Sequence, residues 1–263
     1  MPYLPDESSR WIKRSEPPAS GPRPDWSGPF VVLDLETAPD RHAQILARRQ
    51  RGVPRGSPLN EIVAATALRF EEREDQFGGF RLRSWHRDVH LETDILANVE
   101  TELDSVAEHG TLVTFNGMGH DLPMLHIRQM RWWQCETNAI RRICARQDAH
   151  ADLMLELSLG GEGRWPSLAD GCAAVGFSLA GPATIGRPTA IPAETEKCER
   201  DVIGTAILFM HVLAARRSSR VPLDEGLPAL GAFLRETAAG RPHLERLALN
   251  RGLVAGTGAW GAT

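Results

Sequence analysis

The chain has 263 residues, a formal net charge of −4, 42% hydrophobic and 24% charged residues, proportions that fit one sizeable globular domain with room for a small appendage. No apolar run reaches bilayer length, and the N-terminal MPYLPDESSRWIKRSEPPAS has no signal-peptide core, so a cytoplasmic protein with no membrane partner is expected. Cys135, Cys144, Cys172 and Cys198 form no CxxC pair, which speaks against a zinc knuckle or a disulfide framework and for buried thiols in a reducing compartment.

Residues 1–28 are rich in Pro, Ser and charge without apolar periodicity and read as a flexible leader. Phe30–Glu36 is a short apolar strand ending in acids, and residues 41–60 read as a short helix and a mobile arginine-rich loop. Two strands are predicted at Glu61–Phe70 and Phe80–Trp85, paired antiparallel across a polar turn containing Gly78-Gly79. Ile95, Leu96, Val99, Leu103 and Val106 recur at helical spacing, with Thr93 as N-cap and Gly110 as stop. Thr111–Phe115 is a buried strand, followed by Asn116-Gly117 and a helix through Trp133. Further helices are expected at 168–175, 193–216, 225–238 and 242–250, before a flexible tail over 251–263. Strands followed by strand–helix alternation imply an α/β domain, a mixed sheet covered by helices.

Asp34 and Glu36 stand two apart at a strand end, so both side chains leave one face of the sheet. Paired carboxylates are hard oxygen ligands that suit magnesium or manganese better than zinc, although solvated acids at a strand end have the same pattern. Asp121 opens a helix and could simply cap it. Asp201 sits on a helix with an apolar opposite face and could be an exposed helical acid.

Four segments occur in order: Phe30–Thr37 (FVVLDLET), Val113–Leu125 (VTFNGMGHDLPML), His150–Leu157 (HADLMLEL) and Glu199–Leu208 (ERDVIGTAIL). Together they resemble the successive motifs of the DEDD 3′–5′ exonuclease superfamily, nearest to predicted exonucleases related to the proofreading domain of family-B DNA polymerases. The likeness runs from about residue 30 to 250 and includes Pro242-His243-Leu244. It implies an RNase H-like mixed five-stranded sheet flanked by helices, with extra C-terminal helices, over 29–250. It also implies that Asp34, Glu36, Asp121 and Asp201 hold two Mg2+ or Mn2+ ions, about 3.5–4 Å apart, for in-line displacement at phosphorus. The expected substrate is a single-stranded 3′ end, DNA before RNA. Asp152 matches an aspartate near the site in the resembled subgroup, as support or as metal contact. Phe115 and Asn116 match places that contact the terminal nucleotide; a packed core Phe and a turn-forming Asn are the competing readings.

One position departs from the pattern. Superfamily members place a tyrosine four residues, or a histidine five residues, before the last aspartate to orient the attacking water. Here those positions hold Lys197 and Glu196, and the chain's one tyrosine is Tyr3. Such a group is worth on the order of 10²–10⁴-fold in rate, so weak activity is expected. Lys197 could position the water, an awkward place for a cation beside two ions, or Glu196 or Glu199 could serve as base. The other reading is an impaired nuclease fold kept as a nucleic-acid-binding or complex-forming subunit.

Arg128, Arg131, Arg141, Arg142 and Arg146 form either a phosphate-tracking patch or an ordinary solvated face. Arg48, Arg49, Arg51 and Arg55 follow the first motif and could reach a substrate. Trp132-Trp133 reads as core packing before base stacking, His120 and His126 do not form a zinc pattern, and His150, two residues before Asp152, reads as a local hydrogen-bonding residue. No P-loop or dinucleotide fingerprint is present, so ATP is not implied.

Overall fold

The computed structural model describes residues 26–51, 57–134, 138–146, 148–158, 166–179, 191–250 and 253. Its centre is a five-stranded sheet of β1 (Phe30–Pro39), β2 (Asn60–Arg73), β3 (Gln76–His86), β4 (Thr111–Thr114) and β5 (His150–Asp152), in the order β3-β2-β1-β4-β5. β1 pairs antiparallel with β2 and parallel with β4, β2 pairs antiparallel with β3, and β4 pairs parallel with β5. This is the mixed, RNase H-like sheet expected from the sequence, with helices on both faces and further helices at the C-terminal end.

The strand period sorts β1 between two cores. Phe30 and Val32 face the long helix α7 (Ala193–Arg217), where Val202, Ile203, Ala206 and Phe209 pack with Leu68, Phe70 and Val113. Val31, Leu33 and Leu35 face the other side, against α2 (Glu92–Ala107), α3 (Asp121–Trp132) and α4 (Ala139–Ala145). Continuing the alternation puts Asp34 and Glu36 on the α7 face. The register of β1 and β2 shifts just after Glu36, where a bulge interrupts the ladder beside the acids before pairing resumes at Thr37 and Ile62.

The hairpin corrects one expectation. β2 and β3 are antiparallel, but the chain reverses at Glu74 and Asp75, both left-handed at φ 51° and 65°. Gly78-Gly79 lies inside β3, where Gly79 at φ 66° opens a bulge opposite Phe70. Two acids in the left-handed turn gave no glycine signal. Likewise α2 begins earlier than Thr93, and the Asp94 carboxylate accepts the Leu91 N–H at 3.1 Å.

Of the expected leader, 1–25 lies outside the described residues, while Trp26 is buried against Phe209 and carries the Arg216 guanidinium over its ring at 3.7 Å. Of the tail, Leu253 is described and buried. The remaining helices are α1 (Arg41–Arg51), α5 (Leu153–Leu157), α6 (Leu168–Ala174), α8 (Leu227–Thr237) and α9 (Pro242–Ala248). Cys172 and Cys198 are buried thiols; Cys144 is exposed, which corrects the expectation for it, and Cys135 lies outside the described residues. No helix among the described residues is long and apolar enough to cross a membrane.

Candidate metal centre

β1, β4 and β5 run parallel, and their C-terminal ends meet α7 and the start of α3. Asp34 and Glu36 arrive from β1. Asp121 arrives as the first residue of α3, through a tight connection after β4. Asn116 there takes φ 67°, and a side chain on Gly117 would stand 2.1 Å from Thr114 Oγ1, so only glycine fits. Asp201 and Lys197 share one face of α7 through their i,i+4 spacing.

The structure brings Glu36, Asp121 and Asp201 within electrostatic reach of Asp34. Burial, then the charge of Asp201, push the Asp34 carboxyl up to about 8, with Glu36 adding to the rise and Cys198 and Lys197 opposing it. Asp121 is 2% exposed. Burial, then the charges of Asp34, Asp152 and Glu36, hold it well above the usual carboxylate range. Asp34 Oδ2 is buried without a hydrogen-bond partner. A buried acceptor left unpaired costs free energy, and a divalent cation is the group that satisfies orphaned carboxylate oxygens and relieves their repulsion together. The residues at Asp34 and Asp121 therefore fit a hard cation.

Glu36 and Asp201 are differently placed. The Lys197 ammonium donates to Glu36 Oε1 and, at 3.2 Å, to Asp201 Oδ2. Burial pulls the Lys197 pKa down, but the bond to Glu36 and the charges of Asp201 and Glu36 outweigh it, so the ammonium stays charged well past neutrality. Lys197 is thus an ion-pair partner of two of the four acids.

Asp152 is buried, and its Oδ1 accepts the N–H groups of Asn116 (3.0 Å) and Met154 (3.1 Å) while Oδ2 accepts that of Met118 (2.9 Å). It ties the β4–α3 connection to the end of β5, which is the supporting arrangement. Phe115 is half-buried against the α7-side core, and Asn116 forms the left-handed turn; both competing structural readings are present in the geometry.

Glu199, a candidate base, points away. It is buried on the opposite face of α7 from Asp201, accepting from Ser84 Oγ at 2.7 Å and Arg241 Nη1 at 3.0 Å, with His243 Nε2 at 2.6 Å. Glu196 lies 3.5 Å from Arg246 Nη2. Two neighbours of the site were missed by sequence reasoning. Cys198 Sγ lies with carboxylate oxygens of Asp34 and Glu36 inside a 4.8 Å cluster. Its thiol is raised well above the usual range by burial and Asp34, and it points at the Asp34 carbonyl at 3.6 Å. A protonated soft donor does not belong in a magnesium or manganese set. Its i,i+3 spacing from Asp201 was the available signal. His120, just before Asp121, lies within electrostatic reach of Glu36 and Lys197, with burial keeping its imidazole pKa low.

The arginines after the second motif turn out to be largely committed. Arg128 is 1% exposed and bonds Asp40 Oδ2 (2.9 Å), the Asn60 carbonyl (3.1 Å) and both Glu92 carboxylate oxygens, so it belongs neither to a phosphate patch nor to a solvated face. Arg131 pairs with Asp40, Arg142 with Asp104 and Glu108, and Arg146 with Asp148. Trp132 and Trp133 are 43% and 90% exposed, which corrects the core-packing expectation. The helix stops there and Trp133 turns left-handed into solvent.

No family model and no curated protein matches the chain. Among solved structures it is similar to exonuclease I, in a structure bearing on how processivity is achieved, and to E. coli exonuclease I in complex with a dT13 oligonucleotide. Identity is 12% in both, with TM-scores of 0.34 and 0.36. The matches cover 79% and 82% of this chain but 43% and 45% of those chains, so this chain spans less than half their length. At these scores the function has to be read from the site's own atoms.

Proposed function

We propose that the protein is a divalent-metal-dependent 3′–5′ exonuclease acting on single-stranded nucleic-acid ends, DNA before RNA. The observation that supports this most is the convergence of Asp34, Glu36, Asp121 and Asp201 from β1, α3 and α7 around a buried carboxylate oxygen without a partner. Those residues would hold Mg2+ or Mn2+, two ions in the resembled superfamily. The bound metal would supply polarisation of the phosphate and a more acidic water. The chain's own residues do the rest: Asp152 holds the β4–α3 connection in place, and Phe115 and Asn116 on it would meet the terminal nucleotide. The two positions on α7 from which a histidine or tyrosine would orient the water hold Glu196 and Lys197, so the proposed rate is low. In this reading 29–250 is one exonuclease domain.

A second reading has its own observation. Lys197 already neutralises Glu36 and Asp201, as an impaired nuclease kept for binding or complex formation would allow. Incubating 5′-labelled single-stranded DNA and RNA with Mg2+ or Mn2+ separates the two. A ladder of 3′-shortened products that disappears in Asp34→Ala is expected. A strand that binds and stays intact with the wild-type protein would favour the impaired reading.

A further inference from the structure

The four carboxylates are not equivalent. Asp34 Oδ2 is buried and unpartnered, and the buried side chain of Asp121 lies within electrostatic reach of Asp34. Glu36 and Asp201, in contrast, already share a cation on a tether rooted in the same helix as Asp201. We propose that Lys197 is a built-in replacement for one of the two ions of the resembled superfamily, so that this site takes a single divalent cation, held chiefly by Asp34 and Asp121. The inference rests on the metal-site reading above and refines it.

Electrostatics and space both lead there. An ammonium bonded to Glu36 and Asp201 uses the lone pairs that a second ion would need. A magnesium-sized ion sits about 2.0–2.1 Å from its oxygen ligands. Placed on those same oxygens, it would meet the Lys197 ammonium nearly in contact, charge against charge. With four ionised carboxylates, one divalent ion and one ammonium leave a net charge of −1, whereas two ions and the ammonium leave +1. Lys197 is about half exposed, so nothing in the core forces it into this position. The two carboxylates hold it there through direct bonds. Lysine at this position therefore does more than lack a tyrosine's hydroxyl: it also changes the number of ions.

Counting bound Mn2+ on the full chain near neutral pH tests this, with free Mn2+ followed by its room-temperature paramagnetic resonance signal and the bound ion by its frozen-solution spectrum. One equivalent with an uncoupled spectrum is expected for the wild type and for Lys197→Arg. Lys197→Gln is expected to take a second equivalent and to show the exchange coupling of two neighbouring ions. Asp34→Ala is expected to take none. Two equivalents in the wild type would overturn the inference and leave the metal-dependent reading standing. One equivalent in Lys197→Gln would also overturn it, because something other than the ammonium would then limit the site. No binding by any variant would sink both the inference and the reading beneath it.

Discussion

Two regions of this molecule bury charge, and they do so in opposite ways. Around Arg128, the guanidinium meets Asp40, Glu92 and a backbone carbonyl, and Arg131 adds a second cation on Asp40. Every charge there has a partner within the fold. Around Asp34 and Asp121 the charges are of one sign, one oxygen is orphaned, and the only nearby cation described is bonded to Glu36 and Asp201. Buried charge satisfied from within is architecture: it fixes α3 to the ends of α1, β2 and α2. Buried charge left unsatisfied is held in that state by the rest of the fold, and such strain concentrates at functional sites.

The largest effect should come from breaking the satisfied region. Arg128→Met leaves Asp40 and Glu92 without their shared partner, and removing one member of a buried ion pair costs about 3–5 kcal/mol. Urea unfolding is the measurement, read as a lower midpoint with an unchanged slope. A loss below about 1 kcal/mol would mean that Arg131 and water take over both acids.

The second effect separates the regions by sign. The guanidiniums of Arg128 and Arg131, with the Ala43 N–H, outweigh burial and lower the Asp40 pKa. Its contribution is therefore present above the unfolded carboxylate range and lost as pH falls through its lowered folded value. Asp34 runs the other way. With a folded value near 8 against an ordinary 3.8, it favours the fold fully below about 3.8, and that contribution is lost as pH rises from there through 8. In metal-free protein Asp34 should make stability fall as pH rises between 4 and 8. Asp34→Asn should flatten this descent, and so should millimolar Mn2+ acting on the wild type. Thermal melts across that pH range, with and without Mn2+, read both. An unchanged descent in Asp34→Asn would remove this carboxyl from the account.

These contrasts also mark how far the sequence could be read. Asp34 and Glu36 were legible because a strand's period of two puts both on one face, and Asp121 and Asp201 because their segments recur in a known order. Lys197 was legible as a missing tyrosine but not as a partner of Glu36, because that contact joins positions 161 residues apart. Arg128 was misread for the same reason: a charged residue at helical spacing looks solvated until Asp40 and Glu92 are brought to it by other elements. Trp133 was misread locally, since an aromatic pair at a helix end carries no sign of whether the chain turns it inward or out. β5, three residues long, is too short for any periodicity to reveal.

The smallest effect asks whether any arginine past the second motif is left for a nucleic acid. Arg142 is bound to Asp104 and Glu108 on an exposed surface. Removing it as Arg142→Ala should cost no more than about 1 kcal/mol. It should barely change how single-stranded DNA binding falls with salt, because a guanidinium already paired with two acids has little charge to offer a phosphate. Arg141 is exposed one position earlier, beside the apolar hollow formed by Met118, Leu122, Pro123 and Ile140, and has no acid partner among the described residues. If the strand crosses this face, Arg141→Ala should lower the salt slope by about 0.7, the share of one phosphate contact on a single strand. Equal slopes for both variants would move the strand's path off α4, and a drop for Arg142→Ala would mean that the nucleic acid displaces Asp104 and Glu108. The comparison between satisfied and unsatisfied charge would then extend from the core to the surface: an arginine's use is decided by whether the fold has already given it an acid.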